Sequence, residues 1–441
     1  MKSTPRRTRL LLAVAALLLT AVFVLRAGDL WRAAYPYLPA RVQALPYRIQ
    51  MRLPGAHPTP VELPTVSAGD MIGVTPRRDP DPITPVDRPA ATDLSRATGL
   101  PMATGIPMAT SIPMATDLPV ATALPPRVQL EGIRHSFQTW NNCGPATISM
   151  ALSRYGSVIG QSEAARSLKP DPDDKNVSPG ELAEYARGQG YGALVRVNGD
   201  RDRLRALLAE GVVVVVETWF IPEPNDEMGH YRVLTGYEDD AAGPTGTATP
   251  GGGYFTAADS FDGPHVRLSF DAFDRLWRVF NRTYVPVYPL ELSAVVTRNL
   301  GADLDDRAMF TTASAHAERE IAAGEDVFGW FNLASSLNGL GDTAGAAKAY
   351  DRARALKLPW RMLWYQFGPF EAYAARARWS DVLALADANL KNAPNLEESH
   401  YWRGRALAAQ GRPEEARKAW ERALSLNPGF RPAQEALEAN R

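Results

Sequence analysis

One cysteine occurs in 441 residues, and it sits among residue types that a thiol nucleophile needs. Cys143 lies in "QTWNNCGPATISM", residues 138–150. The plain reading of a lone cysteine is a small buried core residue. The surroundings favour chemistry. The thiolate is the attacking species, and the N-terminus of a helix lowers a thiol pKa. Cys143 stands at such a start: Asn141 or Asn142 can cap the helix, and Pro145 suits its first turn. Gly144 would let a substrate approach the backbone. Attack on a carbonyl also needs donors for the developing oxyanion. The side-chain amide of Gln138, five residues upstream, can join the backbone N–H of Cys143.

A base and a group to orient it are available downstream. His230 opens a predicted strand after the acidic, Pro-rich loop "IPEPNDEMGH", and Gly229 would leave room beside its imidazole. Asp259 ends "YFTAAD", and a hairpin can bring it to the histidine. His135 and His265 are rival bases, and Asp262 is a rival carboxylate. His135 is close to the cysteine in sequence, and His265 falls in a turn past Asp259. Gln138 could simply bond a loop backbone, and Asp259 could cap a turn.

Those residues require elements to hold them. Ile148, Leu152 and Tyr155 share one face, which predicts a helix over 143–155. "SPGELAEYA" begins another, with Ser178 as N-cap, Pro179 at N1 and Glu181 closing a capping box. A third is expected over 201–210, capped by Asp200, facing inward with Leu204, Leu207 and Leu208, and stopped by Gly211. Strands follow at 212–216, 230–237 and 254–259. Ser269 then caps a short helix carrying Phe273, Leu276 and Trp277. Helices first and strands later predict an α+β domain with an antiparallel sheet.

The flanking regions differ in kind. Lys2, Arg6, Arg7 and Arg9 precede sixteen uncharged residues, Leu10 to Leu25, which predicts a signal or membrane-anchor helix over 1–27. Arg26 sits where cleavage wants small residues, so an uncleaved anchor with the body outside the membrane is expected, with secretion after cleavage as the alternative. Residues 28–126 are Pro-rich and without helical or strand periodicity. Pro101, Pro107, Pro113, Pro119 and Pro125 keep a period of six, which predicts an extended stalk or a ligand for a polyproline reader. Pro359, Pro394 and Pro428 lie 35 and 34 residues apart, and Gly341 and Gly411 lie two such periods apart. These spacings resemble tetratricopeptide repeats over 326–441, with 291–325 as a connection. The middle unit is irregular: Gly368-Pro369 interrupts its first helix, and Arg378 occupies the expected place of the turn glycine. A net charge of -1 and the lack of a basic, aromatic-interleaved block set nucleic acid aside as a partner. No Cys/His cluster has metal spacing, so neither a metal nor a cofactor is expected.

Together, "QTWNNCGPATISMALSRYG", "GHYRVLTGYEDD" and "YFTAADSFDG" resemble the bacteriocin-processing, double-glycine-leader peptidases, a papain-like group, over about residues 131–290. The resemblance implies Gln138 as oxyanion donor, Cys143 as nucleophile, His230 as base and then acid, and Asp259 as the orienting residue. It also implies a papain-like cysteine peptidase domain over 127–290. Here Ser260 follows Asp259 where the family commonly has proline, the loop after β-strand 230–237 is long, and the transporter and ATPase modules that often accompany the domain are absent from the sequence. The expected activity is thiol-dependent hydrolysis of a peptide or protein, with the repeats recruiting a protein partner. An acyl-transferring enzyme and an inactive scaffold are the alternatives.

Overall fold

The computed structural model describes residues 61–64, 124–221, 227–239 and 252–440. The expected N-terminal helix and all of the hexapeptide tract before Leu124 lie outside them. Among the described residues, no helix is long and apolar enough to cross a membrane.

The first domain is a mixed helix and antiparallel-sheet fold. In chain order it comprises β1 (Arg127–Gln129), α1 (Cys143–Ser153), α2 (Gln161–Leu168), α3 (Pro179–Gly188), β2 (Gly192–Ala193), α4 (Arg201–Ala209), β3 (Val213–Phe220), β4 (Met228–Asp239), β5 (Gly253–Asp259), β6 (Gly263–Ser269), α5 (Phe270–Trp277) and β7 (Tyr284–Tyr288). The strands lie in the order β2-β7-β3-β4-β5-β6, and β1 pairs with the far end of β4. Each pairing is antiparallel. β3 is buried along its whole length, as its β-branched run demands, and α1, α3 and α4 bury their apolar faces in the same core.

Local signals set the helix starts. Ser178 accepts from the Glu181 N–H while Glu181 reaches back to the Ser178 N–H, the reciprocal capping box read from the sequence. Asp200 and Ser269 cap α4 and α5 through Arg203 and Ala272.

α6 (Ser293–Leu300) and α7 (Asp306–Ala323) lead to a helical array: α8 (Val327–Gly339), α9 (Thr343–Ala355), α10 (Met362–Tyr365), α11 (Gly368–Ala375), α12 (Trp379–Asn392), α13 (Glu397–Ala409), α14 (Pro413–Leu426) and α15 (Arg431–Ala439). The middle unit is broken at Gly368-Pro369, so α10 and α11 replace one long helix. One expectation is corrected here. The turn position filled by Gly341 and Gly411 belongs in the middle unit to Ala377, which takes φ 55°, and not to Arg378. Arg378 instead stands before α12 and binds Asp351 and Asp381. Those two contacts hold a turn that lacks its glycine.

The domain and the array share an apolar core. Trp219, Val279 and Phe280 of the domain pack in one cluster with Trp330, Phe331, Met362 and Leu363 of the array. Polar contacts reinforce the junction: Asn332 donates to the Arg278 carbonyl (2.6 Å), and Asn281 donates to Ser336 (3.0 Å).

Candidate active site

Cys143 is the first residue of α1 and is partly exposed, whereas the rest of the helix is buried. Two expectations about its setting fail. Asn142 holds the N-cap position, but its side chain makes no cap and donates to Gln161 Oε1 (2.9 Å). Asn141 adopts φ 53°, and its carbonyl accepts from Lys169 Nζ (2.8 Å). Gly144 serves packing rather than substrate access, since a Cβ there would lie 3.0 Å from Val177 Cβ.

What fixes the loop before Cys143 is Gln161, at the start of α2. Its Oε1 also accepts from the Thr139 N–H (2.9 Å), and its Nε2 donates to Ser136 Oγ (2.8 Å) and the Phe137 carbonyl (2.6 Å). Residues 136–142 are thus held by one amide that the sequence does not flag.

His230 lies on β4 opposite Thr218, buried at 4% exposure, and donates from Nε2 to Asp259 Oδ1 (3.0 Å). Its other nitrogen, Nδ1, is left for the thiol, with which the ring is hydrogen-bonded. Phe220 stacks against the ring at 4.8 Å between centroids. Asp259 ends β5 and is fully buried. Its Oδ1 also accepts from the Phe261 N–H (2.7 Å) and the Asp262 N–H (2.9 Å), and its Oδ2 accepts from Arg232 Nε (2.8 Å). A carboxylate held by so many donors has one orientation. The rivals fall into place around it. Asp262 contributes only its backbone N–H to Asp259, and His135 donates to the Asp259 carbonyl (2.8 Å). His265 borders a depression with Arg127 and Tyr254 on another part of the sheet.

Gln138 comes to the same corner through Ser260. Its N–H donates to the Ser260 carbonyl (2.9 Å), and Ser260 Oγ donates to Gln138 Oε1 (2.7 Å). With its carbonyl so engaged, the amide nitrogen keeps its donors. The structure therefore brings Gln138, Cys143, His230 and Asp259 together.

The charges in this corner favour an ion pair. Burial pushes the Cys143 thiol up, but the hydrogen bond and charge of His230, the Tyr231 N–H and the Lys169 ammonium together hold it below the usual thiol range. Burial pulls His230 down, and the charge and hydrogen bond of Asp259 outweigh it, raising the imidazole to about 9. Asp259 is held far below the usual carboxylate range: burial opposes this, and His230 and Arg232 overcome it. Both shifts move the pair toward thiolate and imidazolium.

Two more groups were not legible in the sequence. Glu217, opposite Tyr231 on β3, is 2% exposed and its Oε2 has no partner. Burial, and then the charge of the thiolate, push its carboxyl well above the ordinary range, which favours its neutral form. Tyr365, from α10 of the array, packs against Gly229. A Cβ on Gly229 would come within 3.2 Å of the Tyr365 and Phe280 rings, so the space beside that glycine is filled rather than open. Among the described residues, no group of three His, Cys, Asp or Glu is arranged to hold a metal ion.

Residues 122–285 match the Peptidase_C39 like family, and residues 397–430 match the tetratricopeptide repeat. No curated protein matches the chain. Among solved structures, the chain is similar to YrrB, a TPR protein with an unusual peptide-binding site, at 19% identity and TM-score 0.28, over 34% of this chain and 76% of that one. It is also similar to a double glycine motif protease from an AMS/PCAT transporter in complex with the leader peptide, at 17% identity and TM-score 0.26, over 37% of this chain and 94% of that one. The chain thus carries a Peptidase_C39-like domain followed by a tetratricopeptide repeat.

Proposed function

We propose that the protein is a papain-like cysteine peptidase acting through Cys143, His230 and Asp259, with Gln138 at the oxyanion. The observation that carries this reading is the hydrogen-bonded line from the Cys143 thiol through the His230 ring to Asp259, within a Peptidase_C39-like match. The Cys143 thiolate attacks the peptide carbonyl carbon. The carbonyl oxygen gains the electron pair beside the Cys143 N–H and the Gln138 amide. The imidazolium gives its proton to the leaving amine as the C–N bond breaks, leaving a thioester. His230 then takes a proton from water, the resulting hydroxide displaces the thiolate, and the acid departs. The upward shift of Glu217 favours the thiolate, since a second buried anion would oppose it.

The array supplies the surface for a protein partner, and its Tyr365 forms part of the wall behind β4. The basic start and uncharged run at 1–27 support membrane anchoring with the body outside.

The test is the rate of alkylation of Cys143 by iodoacetamide at neutral pH, in the unaltered protein and in His230→Ala. The unaltered protein should react at least about tenfold faster, because it alone holds the thiolate. Equal, slow labelling overturns the reading.

A further inference from the structure

Four residues upstream of the domain, Val61 to Pro64, are held against the helical array. Asn392, at the end of α12, accepts from the Val61 N–H (3.0 Å) and donates to the Val61 carbonyl (2.9 Å). Arg354, near the end of α9, gives two hydrogen bonds to the Pro64 carbonyl (2.9 and 2.6 Å). Leu63 is 8% exposed and joins the apolar core of the array, whereas the Val61 and Glu62 side chains are exposed. The proline itself biases Leu63 toward extended backbone.

Each contact states what the surface demands of a ligand. The Asn392 pair reads only backbone, so the side chain at the first position is free to vary. The second position faces solvent. The third must be apolar and fit the Leu63 site. The fourth offers a carbonyl to a buried arginine, and proline there sets the backbone in advance. "VELP" meets these demands, and the hexapeptide tract repeats them. Thr98-Gly99-Leu100-Pro101, Thr104-Gly105-Ile106-Pro107, Thr110-Ser111-Ile112-Pro113 and Thr116-Asp117-Leu118-Pro119 each carry a β-branched residue, a variable residue, Leu or Ile, and Pro. A fifth copy ends in Leu124-Pro125, and its Pro125 carbonyl also accepts a hydrogen bond, from Tyr237 Oη (2.7 Å).

We propose that the surface between Arg354 and Asn392 is a reading site for Leu/Ile-Pro segments, and that the four copies within 98–119 of the same chain are its exchange ligands. "VELP" is the occupant in this structure. Several equivalent ligands on one chain keep the site filled when one is withdrawn, because each is present at high effective concentration.

The experiment places the photo-crosslinking residue p-benzoylphenylalanine at exposed Lys391, beside Asn392, in the full chain. Crosslinks are mapped after tryptic digestion. In the otherwise unaltered chain they should fall on fragment 53–77, which holds "VELP". With Leu63→Asp they should move to fragment 97–127, within residues 98–119, enriched about tenfold over the parent. Adding Asp at Ile106, Ile112, Leu100 and Leu118 should abolish them. Asn392→Ala, a half-buried change outside the apolar core, should lower both yields. Crosslinks absent from 98–119 in the Leu63→Asp chain overturn the proposal. So do crosslinks indifferent to the added Asp residues or to Asn392→Ala, and so does crosslinking chiefly between two chains.

Discussion

Asp259 of the sheet domain and Asp351 of the helical array are both buried carboxylates in ion pairs, and their sets of partners end differently. In the array, Asp351 is 3% exposed and satisfied: it accepts from Tyr373 Oη (2.8 Å) and from both terminal nitrogens of Arg378 (2.6 and 2.9 Å). Arg354 completes the group through Asp381 (2.9 Å). These pairs bridge a unit broken at Gly368-Pro369. In the sheet domain, Asp259 is equally well held, but the charge it anchors ends on a thiol, and Glu217 nearby has an oxygen with no partner. A closed set of charges fixes shape. A set left open at one end, with a thiol on it, leaves a charge available to that thiol. The difference lies in the last partner rather than in burial.

Asp259→Asn should break the comparison most strongly. The amide cannot hold an imidazolium, so His230 drops from about 9. The Cys143 thiol loses part of its support and rises. Reactivity needs the protonated ring and the ionised thiol together, so the alkaline limb of kcat/KM moves to lower pH and the acid limb to higher pH. The window narrows from both sides, and kcat falls by about 10²–10⁴. A pH–rate profile on any cleaved peptide reads this, and an unchanged alkaline limb would contradict the assignment of Asp259.

Asp351→Ala is the matching change in the array. It removes the hydrogen bonds of Tyr373 and two of those of Arg378, which keeps Asp381, without moving the thiol. Losing charge-assisted hydrogen bonds of this kind costs about 1.5–3 kcal/mol. Denaturant unfolding should show that loss, while the alkylation rate of the folded protein stays the same. A stability change below about 1 kcal/mol would place Asp351 among ordinary surface charges.

Ser260→Ala sharpens the comparison at its smallest scale. Ser260 acts only through the Gln138 amide, so kcat should fall about tenfold, less than the loss expected for removing an oxyanion donor outright. KM and the iodoacetamide rate should hold, because alkylation forms no oxyanion. Ser260→Thr should restore kcat. A parallel fall in alkylation would show that Ser260 merely supports the fold.

The legible parts of the molecule were those written in neighbouring residues. Ser178, Pro179 and Glu181 lie within four positions, and the capping box they predict forms. The β-branched run at 212–216 opens β3, which begins at Val213 and continues buried to Phe220. Gln138, Cys143, His230 and Asp259 each carry a residue type suited to one role, which is why they could be named as a set before the structure brought them to one corner. What escaped depends on distance along the chain. Gln161 organises residues 19 to 25 positions upstream from a polar helix that looks like surface. Glu217 follows a string of valines and reads as the end of a strand. Asn141 and Asn142 have the right chemistry for caps, but Asn141 stands one residue before the N-cap, and the Asn142 side chain is taken by Gln161. Gly229 read as open room beside the imidazole, and only the structure shows that Tyr365 of the array and Phe280 fill that space.

That shared wall has a consequence for how the protein can be taken apart. Trp219 and Phe280 lie in the same apolar cluster as Trp330 and Met362, and Tyr365 fills the space behind the strand that carries His230. A chain ended before residue 326 would expose those aromatic rings to water and unseat β4. It would be a damaged enzyme and not the same enzyme without a recruiting module. Loss of a phenotype on such truncation would say nothing about recruitment. The roles of the two halves separate only through point changes, with Cys143 altered in one strain and the array surface in another.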